Sequence, residues 1–343
     1  MKKIIKFISI VLTFVMVCGM FACTDYETGY NETPAPTSTQ ENVPAEKTTV
    51  HVTALKGPTG MGMAKLFKGS DNNSALNKYE KTIESDPTLV SAAVLKGNFD
   101  IAAVPTNLAA TLFNKGADMQ VLALNTLGVL YVLENGNTIN SIEDLRGKTI
   151  YATGQASTPE YILNYILREN GIEPGKDITV EYFTEHAELV TQMVSNKVAI
   201  GMLPQPNVTT AMTKNKDLRI ALDLTKEFNA VSDGKSDVVQ GCIVVNKTFA
   251  KNNPEAVQNF LKDYAASVDF VNNSPEEAAL HIEEYGIIPA AAIAKQAIPT
   301  CNICCITGDD MKTKLNDFLK VLFDANPKSV GGKLPTDDIY YAG

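Results

Sequence analysis

The sequence predicts an α/β fold built from mostly parallel sheets that are covered by helices. From Thr48 onward, short apolar segments of strand length alternate with longer segments whose apolar residues recur at helical spacing. Parallel strands need a crossover helix between them, so this alternation favours sheets flanked by helices. About 295 residues follow the polar N-terminal segment, which is enough for two lobes of ordinary size.

The first block of elements begins with the apolar strand 49–55, followed by a small polar loop. Pro87 directly after Asp86 marks a helix start, because proline fits the first turn of a helix. The predicted strands of this block are 49–55, 99–104, 119–124 and 129–134, and its predicted helices begin near Met61 or span 88–96 and 108–114.

The second block contains a well-marked helix start at Ser157. Ser157 and Glu160 have capping-box spacing, with Pro159 in the first turn, and Gly171 ends the helix. The predicted strands of this block are 149–153, 178–183, 199–203 and 218–224, and its predicted helices are 157–170, 187–196 and 207–213.

The third block returns to an apolar strand, 238–245, and is otherwise helical. Its predicted helices run from Asn253 to about residue 272, then over 275–285, 289–297 and 309–324. The last helix carries a stripe of large apolar residues at helical spacing, which favours a place in the core over a functional surface. These residues are Met311, Leu315, Phe318, Leu319 and Leu322.

The N-terminus has the pattern of an export signal, which we place at residues 1–22. Three lysines precede an apolar run over residues 7–20, and Ala22 precedes Cys23. The pattern resembles a bacterial lipoprotein signal, in which Cys23 is lipidated and becomes the mature N-terminus. The alternative is an ordinary cleaved signal in which Cys23 has no special role.

Residues 23–47 are rich in Pro, Thr and other polar residues and have almost no apolar ones, so we interpret them as a flexible tether. A folded body on a tether from a lipid anchor predicts a protein held at the extracytoplasmic face of the cell membrane.

The body of the chain is acidic. The three lysines of the signal are its only charges, so removing the signal changes the formal net charge from −9 to −12. Phosphate binding needs a basic surface, so the composition argues against a nucleic-acid partner. Hydrophobic residues make up 45% of the chain, which is ordinary for a globular protein.

The body carries four cysteines: Cys242, Cys301, Cys304 and Cys305. Adjacent cysteines such as Cys304 and Cys305 rarely bond to each other, because disulfide geometry disfavours it. The cluster 301–305 fits a metal or redox site less well than buried or half-buried free thiols, since a zinc site needs a second pair or a nearby histidine. We therefore expect no metal site and no cofactor.

Most enzyme signatures are missing. The loop 57–62 matches neither the P-loop nor the dinucleotide-binding pattern, and neither HExxH nor GxSxG occurs. We expect no catalytic residues, and His51, His186 and His281 have structural interpretations in strands or helices. The loops that do carry small polar residues at predicted helix starts are 57–61, 105–107, 154–158 and 204–207.

These four loops predict a binding site, because the loops after parallel strands gather at one edge of a sheet and helix N-termini favour anions and polar groups. The alternative for any single residue is ordinary helix capping. The candidate ligand-binding residues in the loops are Gly57, Pro58, Thr59, Gly60, Met61, Thr106, Asn107, Gln155, Ser157, Thr158 and Gln205.

The three arginines, at positions 146, 168 and 219, lie outside these loops. An anion would therefore be held by helix ends and neutral side chains, not by a bidentate arginine. A neutral heterocycle stacked on Tyr or Phe, with Met61 or Met63 beside it, fits as well.

The order of these segments resembles the solute-binding proteins of ABC importers, in the nitrate, sulfonate, taurine and thiamine-precursor branch, which have the type II periplasmic-binding-protein-like fold. The residues that carry the resemblance are the lipoprotein signal and tether, 57–62, Pro105-Thr106-Asn107, Asp144-Leu145-Arg146-Gly147-Lys148, Pro204-Gln205-Pro206 and Ile298-Pro299-Thr300. It covers the chain from about Thr48 to the C-terminus.

The resemblance implies a two-lobed clamp that closes on a small molecule. Lobe one would comprise 48–138 and 239–343, and lobe two 139–238, with hinge crossovers near 138–141 and 236–240. It also implies that Thr126, Gln240 and Asn302 line the cleft. The expected partners are a small-molecule ligand, the permease of the importer and the membrane through the lipid anchor, and the expected state is a monomer.

Two other functions stay open. One is a metal- or thiol-dependent enzyme, because the same branch resembles a pyrimidine-precursor synthase with a cysteine-rich cluster. The other is a surface sensor module that uses the clamp fold without transport.

Overall fold

The computed structural model describes residues 47–343 except residue 235. The predicted signal, Cys23 and all but the last residue of the predicted tether lie outside the described residues.

The described part of the chain alternates strands and helices as the sequence predicts. Its strands are β1 (Thr49–Leu55), β2 (Lys78–Glu84), β3 (Ile101–Pro105), β4 (Met119–Leu127), β5 (Leu130–Asn135), β6 (Thr149–Thr153), β7 (Thr179–Phe183), β8 (Ile200–Pro204), β9 (Leu218–Asp223), β10 (Val239–Asn246) and β11 (Ile303–Ile306). Its α-helices are α1 (Pro58–Met61), α2 (Ala64–Asp71), α3 (Pro87–Lys96), α4 (Thr106–Asn114), α5 (Thr158–Glu169), α6 (His186–Val194), α7 (Asn207–Lys214), α8 (Leu224–Val231), α9 (Lys247–Asn252), α10 (Pro254–Asn273), α11 (Pro275–Glu284), α12 (Ala291–Ala297) and α13 (Gly308–Ala325). Among the residues described, no helix is both long enough and apolar enough to cross a membrane.

The strands form two sheets. Sheet one has the order β11-β4-β10-β3-β1-β2, and sheet two has the order β7-β6-β8-β5-β9. Strands of the βα units pair in parallel, as in β1 with β2 and β3, and β6 with β7 and β8. The predicted α/β class with two sheets and flanking helices is confirmed.

One strand in the interior of each sheet runs against its neighbours. β10 is antiparallel to β3 and β4 in sheet one, and β5 is antiparallel to β8 and β9 in sheet two. Each is the first strand after the chain passes from one sheet to the other. β5 follows β4 directly, without a crossover helix and so without the parallel orientation that such a helix imposes, whereas β10 follows α8.

The first passage lies at residues 128–129, between β4 and β5. This is about ten residues before the predicted crossover near 138–141, because β5 pairs within sheet two and not with sheet one. The passage is tightly packed: a Cβ atom on Gly128 would lie 1.9 Å from Oγ1 of Thr225. The strand 129–134, predicted for lobe one, therefore belongs to sheet two.

The segment around residue 138 is fastened to the end of β5. The backbone N–H groups of Thr138 and Ile139 donate to the carboxylate of Glu134, which also pairs with Arg219 at 2.6 Å. All of these groups belong to sheet two or its connections, so this segment is not a passage between sheets. The second passage lies between α8 and β10, close to the predicted crossover at 236–240.

The helix α13 packs against helices of both sheets. Its apolar stripe is buried, as the sequence predicts, and Phe318 lies with its ring centroid 6.1 Å from that of Phe228 in α8. The same buried cluster includes Ile166 of α5 and Val104 of β3. This contact joins the two sheets on one side through apolar surface, which burial strongly favours.

Candidate functional site

A cleft with a volume of about 490 Å³ lies where loops from the two sheets meet. The loops follow β1, β3, β6 and β8, and each leads into a helix: α1, α4, α5 and α7. All four loops that the sequence singled out contribute residues to its wall. Because strand ends and helix starts converge here, backbone N–H groups and small polar side chains face one space.

Nine of the predicted ligand-binding residues line the cleft. Sheet one and its loops contribute Gly57, Pro58, Thr59, Asn107, Thr126 and Gln240, and sheet two contributes Ser157, Thr158 and Gln205. The two sheets therefore share the wall, as a clamp requires.

Three predicted residues lie beneath the wall and not in it. Met61 is fully buried in the core of sheet one, and a Cβ atom on Gly60 would lie 2.4 Å from the carbonyl oxygen of Leu55. Gly60 thus allows α1 to pack closely on β1. The hydroxyl of Thr106 is buried and donates to the carbonyl of Val239, which fixes α4 to the second passage between the sheets.

Two further predicted residues lie outside the cleft for different reasons. Gln155 is exposed in the loop before α5. Asn302 holds the first passage between the sheets: its carbonyl accepts from the N–H of Leu127, and its side-chain amide donates to the carbonyl of Gly128. Gln155 had been predicted from its position in a helix-start loop, and Asn302 from the family resemblance.

The structure adds cleft residues beyond the candidate ligand-binding residues, and several of them lie in the predicted loops. The polar additions are Lys56, His186 and Asn207; the apolar additions, or neighbours of predicted residues, are Pro87, Pro105, Leu108, Val129, Gly154, Pro159, Pro204 and Pro206. Asn207 belongs to the loop 204–207 that the sequence singled out, although it was not among the candidate ligand-binding residues. His186 begins α6, outside every loop that was singled out.

The apolar part of the wall consists mainly of prolines. None of the described residues that line the cleft is Tyr or Phe, and Met61 and Met63 are both fully buried. The described lining therefore gives no support to the predicted alternative of a heterocycle stacked on Tyr or Phe beside these methionines. The rigid proline rings offer apolar contact without a stacking partner.

Two threonine hydroxyls in the wall have no hydrogen-bond partner among the described residues. Thr126 is only 1% exposed and Thr158 only 5% exposed, and both line the cleft. A buried hydroxyl without a partner costs about 1–3 kcal/mol of free energy. One hydroxyl comes from β4 of sheet one and the other from α5 beside sheet two, so a bound molecule that contacts both satisfies one group on each side.

The two glutamines of the wall have their oxygen atoms already engaged. Oε1 of Gln205 accepts from the N–H and hydroxyl of Thr209, and Oε1 of Gln240 accepts from the N–H of Val129 at 2.6 Å. Nε2 of Gln205 donates one of its two hydrogens to Thr300 at 2.7 Å. The amide groups left for a ligand are therefore N–H donors.

The charge of the wall is positive. Its ionisable residues are Lys56 and His186, and no Asp, Glu or Arg is among the described residues that line it. Lys56 makes no ion pair with a described residue. The arginines are engaged elsewhere: Arg146 with Glu143, and Arg168 and Arg219 with their own carboxylate partners. The cleft thus favours acceptor groups and negative charge over cations.

The cysteines are free thiols in buried or half-buried positions, as the sequence predicts. Burial raises the pKa of Cys304 to about 12 and that of Cys305 to about 11. The thiolate is the reactive form of cysteine, so burial makes both thiols poor nucleophiles. Over residues 47–343 apart from 235, no group of three or more His, Cys, Asp or Glu is placed to hold a metal ion.

The model of the NMT1/THI5-like family matches residues 80–278, which is more than half of the chain. The chain belongs to this family. No curated protein sequence gives a significant match.

Several solved structures share the fold of this NMT1/THI5-like chain. An ABC transporter protein from Parabacteroides distasonis is 24% identical with a TM-score of 0.72, covering 86% of this chain and 99% of that one. The periplasmic aliphatic sulphonate binding protein of Escherichia coli is 16% identical with a TM-score of 0.67, covering 83% and 96%. The alkanesulfonate-binding protein of Xanthomonas axonopodis pv. citri, bound to MOPS, is 14% identical with a TM-score of 0.61, covering 85% and 96%.

Proposed function

We propose that this protein is the extracytoplasmic solute-binding component of an ABC importer. A small polar or anionic molecule is captured between two lobes, one built on each sheet, and is delivered to the permease of the importer. The observation that carries the proposal is the shared cleft, in which each sheet contributes a buried hydroxyl without a partner, Thr126 and Thr158. A molecule that bonds to both favours the closed arrangement of the lobes.

The polarity of the cleft supports an acceptor-rich ligand. The free amide N–H groups of Gln205 and Gln240 and the ammonium of Lys56 are donors, and the apolar wall of prolines accommodates a short hydrocarbon part. A small organic anion has this combination of groups. Two of the structural neighbours are named for sulphonates of this kind, so an alkanesulfonate is the ligand class to test first.

Contacts between the two sheets already border the cleft. The hydroxyl of Tyr131 in β5 donates to the carbonyl of Thr300 at 3.0 Å, and Gln205 donates to the hydroxyl of the same residue. Thr300 ends the 3-10 turn before β11 of sheet one. These bonds form only when the two sides lie close together, which supports a closed arrangement of the lobes.

The proposal includes the features inferred from the N-terminus. The protein is a lipoprotein anchored through Cys23 at the extracytoplasmic face of the cell membrane, acts as a monomer, and has neither a catalytic role nor a cofactor. The acidic body and the donor-lined cleft fit a binding protein. The raised pKa of Cys304 weighs against the thiol-dependent enzyme. A sensor differs from an importer component in its partner and not in its cleft.

The decisive measurement is thermal unfolding of the protein with a panel of small molecules. The panel pairs each alkanesulfonate with the uncharged sulfone of the same shape and adds nitrate, pyrimidines, amino acids, alkylammonium ions and divalent metals. A ligand at one hundred times its dissociation constant adds about 2.7 kcal/mol to the free energy of unfolding. We expect a raised midpoint with one class of anion or polar molecule and none with alkylammonium ions.

Two outcomes would contradict the proposal. In the first, only divalent metal raises the unfolding midpoint, and this increase is lost in Cys304→Ser. That result would favour the cysteine-dependent enzyme over the solute-binding protein. Chemical conversion of the compound that raises the midpoint would also exclude a role limited to binding.

A further inference from the structure

His186 is a cleft residue with one ring nitrogen engaged and the other free. It is the first residue of α6, and its Nδ1 lies 2.7 Å from the hydroxyl oxygen of Thr153, the last residue of β6. Thr153 is only 1% exposed. No described residue offers a partner for Nε2, although the ring lines the cleft.

The ring lies in an environment that favours its neutral form. Burial lowers the pKa of His186, and the neighbouring charge of Glu185 opposes this only in part. The elements packed against α6 are α7, β6, β7 and β8. The ionisable groups of these elements and of α6 itself are Lys214, Tyr151, Glu181, Tyr182 and Glu188, and Lys56 is the other ionisable residue of the cleft wall.

We propose that Nε2 of His186 contacts the bound ligand, and that an anionic ligand brings a proton onto this ring when it binds. This inference rests on the proposed function, because it needs a ligand in the cleft. It assigns His186 as a specificity-determining residue that distinguishes an anion from an uncharged molecule of the same shape.

The contact of Nδ1 with Thr153 leaves Nε2 of His186 able to bind either a donor or an acceptor group of a ligand. A hydroxyl can donate to Nδ1 or accept from it, so the neutral ring can present Nε2 either as an acceptor or as an N–H donor. The protonated ring presents a donor and a positive charge. A negative charge within about 4–6 Å favours the protonated form, so a bound anion raises the pKa that burial has lowered.

The coupling of anion binding to protonation of His186 has a definite sign. Without ligand, the pKa of His186 is lower in the folded than in the unfolded chain, whose histidine pKa is about 6.5. Unfolding therefore takes up a proton below about pH 6.5, and the free protein loses stability as the pH falls through the unfolded pKa toward the folded one. With an anion bound, the folded pKa is higher, so affinity for the anion increases as the pH falls between the bound and free values.

The test uses NMR of the histidine rings, of which the chain has only three. The signal of His186 is assigned by its loss in His186→Gln. It is titrated with acid in the free protein, with methanesulfonate, and with dimethyl sulfone, which has similar shape and no charge. Proton uptake on binding is measured in parallel by calorimetry in buffers of different ionisation enthalpy. His281→Gln is the matched control, because His281 pairs with Glu284 outside the cleft.

We expect methanesulfonate to raise the pKa of His186 by about one unit or more and dimethyl sulfone to leave it unchanged. Affinity for methanesulfonate then increases by up to about tenfold per pH unit of acidification between the free and bound pKa values. His186→Gln removes this pH dependence and His281→Gln retains it. Methanesulfonate that leaves the His186 signal unmoved at every pH, or a dependence that survives in His186→Gln, overturns the inference.

The two proposals fail separately. If another compound raises the unfolding midpoint while no anion moves the His186 signal, the solute-binding function stands and the role of His186 is wrong. If methanesulfonate shifts the pKa of His186 but is chemically converted by the protein, the role limited to solute binding is wrong and the proton coupling stands.

Discussion

At the scale of single residues, two threonines that line the cleft carry buried hydroxyls without a described partner. A protein interior rarely leaves a buried polar atom without a partner, because the cost is about 1–3 kcal/mol. Thr126 and Thr158 both leave one in the wall of the cleft. In the ligand-free protein the two unpaired hydroxyls cost free energy. A bound molecule that supplies their partners removes this cost, and the free energy recovered adds to the affinity for that molecule.

This argument predicts opposite effects on stability and binding for Thr126→Val. Valine has nearly the shape of threonine without the hydroxyl, so the ligand-free protein keeps its unfolding midpoint or gains slightly. The ligand loses one hydrogen bond, and its affinity falls by about 1–3 kcal/mol, or about five- to 150-fold. Calorimetric titration with the compound that raises the midpoint, together with thermal unfolding, measures both effects.

Thr225→Val is the matched control for this prediction. Thr225 also has a buried hydroxyl without a described partner, but it packs against Gly128 and does not line the cleft. The control should leave affinity unchanged. Equal losses of affinity in Thr126→Val and Thr225→Val would mean that the hydroxyl at position 126 does not contact the ligand.

The sequence predicted the loops of the site better than its individual residues. Four helix-start loops were identified, because strand ends and helix starts have local signals in proline, glycine and small polar residues. Local signals do not show which side of a loop faces the cleft, so Gly60 and Thr106 were included although they serve packing. His186 was missed as a cleft residue, because only the folded sheet brings the start of α6 beside Thr153.

At the scale of elements, the connection before β11 is hydrogen-bonded to the first passage between the two sheets, at residues 128–129. Asn302 has a left-handed backbone, with φ of 44°, and bonds to the passage through both its carbonyl and its side chain. Asparagine tolerates this conformation better than most residues other than glycine. These contacts fix the connection, and ligand binding by Asn302 stays a prediction.

We expect Asn302→Ala to destabilise the protein by about 1–3 kcal/mol, because it removes a hydrogen bond to Gly128 and places alanine in a left-handed conformation. Asn302→Gly separates the two causes, since glycine removes the hydrogen bond but accepts the backbone. It should destabilise less than alanine does. Urea unfolding measures both. A large loss of ligand affinity with unchanged stability would instead restore Asn302 to the binding site.

Two of the elements that the sequence missed, β2 and β11, have physical reasons for being inconspicuous. β2 lies at the edge of sheet one, and its alternating Lys and Glu residues conceal the apolar positions of Tyr79 and Ile83. Charged residues are common on edge strands, where they discourage pairing with another chain. β11 has only four residues and contains Cys304 and Cys305, which the sequence indicated as buried or half-buried free thiols and not as strand residues.

At the scale of the whole molecule, the contacts between the two sheets are of two kinds. On one side α13 joins them through buried rings such as Phe318 and Phe228. Separating these rings would expose apolar surface at a cost of about 25 cal/mol per Å². On the side of the cleft, hydrogen bonds of Tyr131 and Gln205 to Thr300 join them. Hydrogen bonds exchange with water at little net cost, so opening should separate the Thr300 contacts and retain the α13 contact.

This division predicts that Tyr131→Phe weakens closure without disrupting the fold. The variant loses a hydrogen bond between the sheets with a net value of about 0.5–1.5 kcal/mol, so affinity for the ligand falls about two- to tenfold. Small-angle scattering of ligand-free Tyr131→Phe should give a larger radius of gyration than that of the unaltered protein.

Tyr285→Phe is the matched control, because the hydroxyl of Tyr285 donates to Asp71 at 2.7 Å among the helices of sheet one. It should lose stability without losing affinity, and equal affinity in the two variants would exclude Thr300 as the point of closure.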